Sequence, residues 1–123
     1  MPVTSSTSSI KRWPSAEVVL SSLGKWCAAE VARRDGLLGF GYFGSYARGD
    51  EGFGSDLDLI AIVRADSRPA MERAHDWPTE NLPVPADLLV YTADEWERLQ
   101  AEGGRFVLML NAEARWLVRH EAA

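Results

Sequence analysis

A chain of 123 residues has room for one domain around one core, and too little for a catalytic domain beside a separate substrate domain. A hydrophobic fraction of 46% and a charged fraction of 25% are ordinary for a soluble globular protein, whereas a net charge of -5 and a pI near 5.0 argue against long nucleic acid as a partner. The single cysteine, Cys27, excludes an intramolecular disulfide and a cysteine zinc cage, and no apolar run approaches the roughly 20 residues that span a bilayer, so a cytoplasmic, membrane-free protein is expected.

Residues 1–12 are rich in Ser and Thr and read as a disordered tail, residues 13–119 as the single domain, and 120–123 as a C-terminal tail. A helix is predicted over about 16–34, with Ser15 as N-cap, Glu17 in its first turn and an apolar stripe of Leu20, Leu23, Cys27 and Val31. Cys27 on that stripe reads as a buried, inert thiol. Gly36 is placed to end the helix. Residues 37–43 form a strand in which Gly39 and Gly41 mark close backbone approach, and a polar Gly-rich turn follows. The second strand, beginning at Asp56 or Leu57 and ending at Val63, is continuously apolar after its aspartates and so central in the sheet. Ser67 is predicted to cap a short helix reaching His75, and residues 76–83 form a Pro-rich loop, the most mobile part of the chain. A third strand spans 84–91 and contains Asp87. Thr92 and Glu95 make a capping box for a helix over 93–101, broken by Gly103-Gly104. A last short helix over 106–111 and a strand over 115–118 complete the chain.

The chemistry concentrates where the strands begin. Asp56 and Asp58 are one residue apart, so on a strand they point to one side about 6 to 7 Å apart, close enough to meet one metal ion. Aspartate is disfavoured in strands and costly to bury unless paired or bound to a cation. Asp87 is a third aspartate in an apolar run. Upstream, Gly44-Ser45 ends a strand and opens a short helix, presenting backbone N–H groups and a hydroxyl to an anion. A hard cation such as Mg2+ takes carboxylate and phosphate oxygens, so the set reads as metal-assisted phosphoryl or nucleotidyl transfer. Taken singly, an Asp-x-Asp is more often a solvated strand end, and Asp87 alone fits a hydrogen-bonded strand residue; order and spacing together argue for a site. Neither His75 nor His120 has a spaced partner, and neither is assigned a role. Trp77 is read as packing, with base stacking the alternative, and Asp50-Glu51 as a solvated surface feature.

The run Gly44-Ser45-Tyr46-Ala47-Arg48-Gly49 followed by Ser55-Asp56-Leu57-Asp58-Leu59, with residues 46–55 between Ser45 and Asp56, resembles the signature of the nucleotidyltransferase superfamily related to DNA polymerase beta. It is most similar to the minimal nucleotidyltransferases of bacteria and archaea. The resemblance implies an α/β (α+β) nucleotidyltransferase fold, a single domain with a mixed sheet of four or five strands flanked by helices and a site open at one edge. It also implies site roles. Gly44, Ser45 and Ser55 would hold the triphosphate of ATP, the donor; Asp56 and Asp58 would bind two Mg2+ ions, with Mn2+ as a substitute; Asp87 would help bind one metal and activate the acceptor hydroxyl. For Arg48 two roles stay open, touching phosphate or bracing the turn.

Proteins of this resemblance often act with a helical HEPN partner as a toxin–antitoxin pair. The expected function is therefore Mg-dependent transfer of AMP to an acceptor hydroxyl on such a partner. The alternatives are an antitoxin that only binds, or transfer to a small aminoglycoside-like molecule. The acceptor, the base preference and the oligomeric state, homo-oligomer included, are not written in any motif here.

Overall fold

The structure is a computed structural model and describes residues 13–119. The expected tails, with His120 in the second, lie outside the described residues. Helix α1 spans Ala16–Arg33; Ser15 caps it, its side chain accepting from the Val18 N–H. The stripe it buries is Val19, Leu23, Trp26, Cys27 and Glu30, while Val31 is exposed and Leu20 only half-buried. The predicted stripe was rotated because Glu30 occupies a core-facing position. Burying that carboxylate is tolerable only with its partners, Arg33 at 3.2 Å and Arg34 at 2.7 Å. Gly36 does not cap the helix. The chain turns extended at Arg34, and the Gly36 carbonyl accepts from the Arg64 N–H instead.

Strands β1 (Leu37–Phe43), β2 (Leu57–Val63), β3 (Ala86–Thr92) and β4 (Arg115–Arg119) form a mixed sheet in the order β3-β2-β1-β4. β1 runs antiparallel to β2 and to β4, and β2 runs parallel to β3. β2 is central, as its apolar run requires. Gly41 is needed where β1 and β4 close up at a register shift, since a Cβ there would lie 2.6 Å from the Arg115 carbonyl oxygen. Gly39 is under no such constraint; a Cβ would make ordinary contacts.

Each face of the sheet has its own core. Leu57, Leu59 and Ala61 of β2, Leu88 and Val90 of β3 and Phe40 of β1 pack under α1. On the other face Phe43, Ile60 and Leu89 meet Trp96, Phe106, Leu110 and Trp116 from α4 (Ala93–Glu102), α5 (Arg105–Glu113) and β4. The segment 76–83, expected to be the loosest, is stitched down. Trp77 and Leu82 are buried, Trp26 Nε1–H donates to the Pro78 carbonyl at 2.9 Å, and the Arg34 guanidinium lies 3.7 Å over the Trp77 ring. Packing, not base stacking, is the role of Trp77. The helix after β2, α3 (Ala70–Arg73), starts behind Pro69 rather than a Ser67 cap, because Asp66 takes up the local donors, accepting from the Arg68 N–H. The Thr92–Glu95 capping box forms as predicted, with both reciprocal bonds present.

Candidate functional site

Gly44 is the hinge of the site. At φ +76 and ψ -150 it occupies backbone space that is closed to other residues, and a Cβ there would collide with Asp58 Oδ2. The glycine therefore serves a turn and a close approach at once. It ends β1 and caps α2 (Ser45–Arg48), whose short coil is held by the Ala47 and Arg48 N–H groups donating to the Gly44 carbonyl and by Gly49 and Asp50 donating to Ser45. Buried Tyr46 anchors α2 to the α1 side, its hydroxyl 3.4 Å from Trp13 Nε1. Ser45 is half-buried at the first position of the coil, where backbone N–H groups lack intrahelical partners.

The path from α2 to β2 closes in a tight turn. Ser55 Oγ accepts from the Gly52 N–H at 2.8 Å and the Ser55 N–H donates back to the Gly52 carbonyl. Ser55 thus shapes the approach to the aspartates. Asp56 stands one residue before β2, not within it, and is exposed; Asp58 is the second residue of the strand and half-buried. The Leu57 N–H donates to the Pro85 carbonyl at 2.9 Å, which ties the entry of β2 to that of β3. From there the parallel register sets Asp58 directly beside Asp87. Adjacent strands lie about 4.8 Å apart and paired residues share a face, so the two carboxylates are neighbours on the face opposite α1, ahead of Ile60 and Leu89.

The electrostatics agree with this placement. Asp58 is raised above its ordinary 3.8, first by partial burial, then by the charges of Asp87 and Asp56, against a smaller lowering by Arg48. The sequence-predicted carboxylates are therefore brought together, two by strand register and the third by chain continuity. As their side chains stand they do not close on one point: among the described residues, no three Asp, Glu, His or Cys groups are gathered tightly enough to hold a metal ion. The donor chemistry nonetheless suits a hard cation, being all carboxylate, with a glycine cradle beside Asp58 and mutual repulsion that a cation would relieve. Asp56, Asp58 and Asp87 are the residues that could hold it.

Arg48 makes two contacts that spacing did not reveal. Its Nε donates to Asp50 Oδ2 at 3.1 Å and its Nη1 to Glu113 Oε1 at 3.3 Å. Asp50 is solvated as expected and pairs with Arg48 from the surface, whereas Glu113, at the far end of α5, belongs to no motif that would signal it. Cys27 is buried and its thiol is pushed up to about 11, chiefly by burial, so it is inert as expected. A cavity of about 350 Å³ opens at the opposite end of β2 and β3, lined in part by Arg64, Ser67, Thr92, Asp94 and Arg98, and contains none of the predicted site residues.

Comparison with known proteins points the same way. The nucleotidyltransferase domain family matches residues 25–109, more than half of the chain, including Gly44, Ser45 and all three aspartates. No curated protein matches the sequence. Among solved structures, a Sulfolobus solfataricus protein assigned as a nucleotidyltransferase is similar at 17% identity and a TM-score of 0.59, over 82% of this chain and 80% of that one. A toxin–antitoxin structure with AMP-PNP is similar at 17% identity and a TM-score of 0.52, over 80% and 74%. At these identities the likeness concerns the fold.

Proposed function

The chain belongs to the nucleotidyltransferase domain family, and from that premise we propose that it transfers AMP from ATP to a hydroxyl group on a partner protein, with Asp56, Asp58 and Asp87 as the metal-binding carboxylates. The observation that carries this reading is the register of Asp58 beside Asp87, next to a glycine that leaves room for nothing larger. The likeness to a toxin–antitoxin structure with AMP-PNP supports an adenine nucleotide and a protein partner. The partner is a helical protein of the HEPN type.

When bound at these carboxylates, Mg2+ would neutralise charge on the attacking and departing oxygens. The chain's own groups do the positioning. Gly44 lets phosphate approach the backbone, and the first N–H groups of α2 with the Ser45 hydroxyl hold the triphosphate tail. The acceptor oxygen bonds to the α-phosphorus as the bond to the bridging oxygen breaks and pyrophosphate departs. Asp87, exposed at the rim, receives the acceptor proton. Asp58, raised by burial and by the charges of Asp87 and Asp56, is a carboxylate whose ionised form a bound cation would favour.

The test is the intact mass of the natively co-isolated partner, with and without ATP and Mg2+. A gain of one AMP residue is expected, and a tight complex with no gain would make the domain a binding module instead.

A further inference from the structure

Arg48 ends α2, and its guanidinium is shared between two carboxylates that approach from different parts of the chain. Asp50 is two residues on; Glu113 is the last residue of α5, and only a quarter or less of its side chain is exposed, 21%. A four-residue coil cannot hold its own orientation, because a single helical turn fixes more backbone than its bonds repay. Two anchors outside the coil do so. On one side Tyr46 is buried under the α1 face with Trp13. On the other, Arg48 reaches across to α5, the helix that covers the opposite core. Both contacts are weak by the standards of stability, since Arg48 is about half exposed. Their consequence is placement.

We infer that Arg48 is a positioning residue, clamped between Asp50 and Glu113 and not a direct phosphate ligand, and that Glu113 thereby fixes the pose of the Gly44-Ser45 turn from the far end of the sequence. This rests on the reading of that turn as the triphosphate cradle. The Nε and Nη1 donors are spent on the two carboxylates, which orients the guanidinium and sets two anions beside it, so a phosphate would meet only the remaining Nη2 end in competition with both. The clamp joins the donor turn to the α5–β4 junction, two segments that share no motif.

The experiment is a double-mutant cycle of Arg48→Gln and Glu113→Gln, read by calorimetry of Mg·ATP binding and by amide hydrogen exchange at residues 46–50. Each single variant is expected to weaken Mg·ATP roughly two- to fivefold, the double no more than either, with Arg48→Lys partly restoring affinity because an ammonium keeps the charge but lacks the rigid planar fork that spans both carboxylates. Exchange in the turn should accelerate equally in both single variants. A tenfold or greater loss in Arg48→Gln with Glu113→Gln neutral would overturn the clamp in favour of direct phosphate contact, and unchanged exchange in both variants would overturn it as well. Should the wild-type chain not bind Mg·ATP, the donor-site reading fails, while the exchange measurement still decides the clamp.

Discussion

β2 and β3 run parallel, so their two ends make two edges of one scaffold, and both edges are rich in acid. At the C-terminal edge every buried or half-buried carboxylate has an arginine. Asp66 is bound by Arg68 through two side-chain bonds, and Glu95 receives both Nη groups of buried Arg73 at 2.6 and 3.0 Å. Those partners hold Asp66 and Glu95 down to about 2. At the N-terminal edge the opposite holds: Asp58 is raised, first by its partial burial and then by the charges of Asp87 and Asp56. Acids gathered around the ends of the same two strands are thus compensated at one end and left largely uncompensated at the other. Compensated acids hold the fold together; the uncompensated ones are the carboxylates of the proposed cation site.

The largest break in that contrast comes from neutralising the uncompensated end. Asp58→Asn should lower nucleotidyl transfer by about three powers of ten or more, since metal-borne charge stabilisation is worth several kcal/mol at roughly 1.36 kcal/mol per tenfold. The same substitution should leave the melting temperature unchanged or slightly higher, because it removes a repelled charge. Label transfer from alpha-labelled ATP and a thermal melt read the two signs together, and full activity in the variant would dismiss the site.

At the compensated edge the sign reverses. Arg73→Met strands Glu95 and frees the carbonyls of Val90 and Arg68, and should cost about 3 kcal/mol in denaturant unfolding without altering the Mg·ATP dissociation constant of the folded protein. A loss below about 1 kcal/mol would mean that the arginine cage is ornamental.

Acid titration sharpens the comparison with a smaller effect. Glu95 and Asp66 have folded values near 2, below their ordinary 4.5 and 3.8, so their stabilisation is present above those values and drains away as pH falls toward 2. Asp58 works oppositely: its folded value lies above 3.8, so its ionisation costs stability as pH rises through that value. Urea midpoints should therefore fall between about pH 4.5 and 2, more shallowly in Glu95→Gln. Identical slopes in the two proteins would remove Glu95 from the account.

Much of this is legible in the sequence. Ser15, the Thr92–Glu95 box and the apolar runs of β1 and β2 signal locally, through caps and periodicity that depend on near neighbours. The motif spacing brought out Gly44, Ser45, Asp56 and Asp58 for the same reason. What failed were readings that depend on what lies opposite. Val31 is assigned to the buried stripe and Glu30 receives no assignment from the sequence, because a buried carboxylate cannot be foreseen without its arginines. The 76–83 loop looked loose because prolines advertise irregularity, not the Trp26 and Arg34 side chains that pin it.

The sequence by itself determined most of the elements and a Gly-Ser turn followed by an Asp-x-Asp, all set by residues within a few positions of one another, while the mixed sheet was implied by the family resemblance. Only the tertiary structure decided that Asp87 stands beside Asp58, that Gly44 is cut to the shape of that carboxylate, and that Glu113 reaches Arg48 from 65 positions away. Strand register and helix docking are settled by packing across the core, and a linear pattern carries no record of which distant side chain will fill the space opposite.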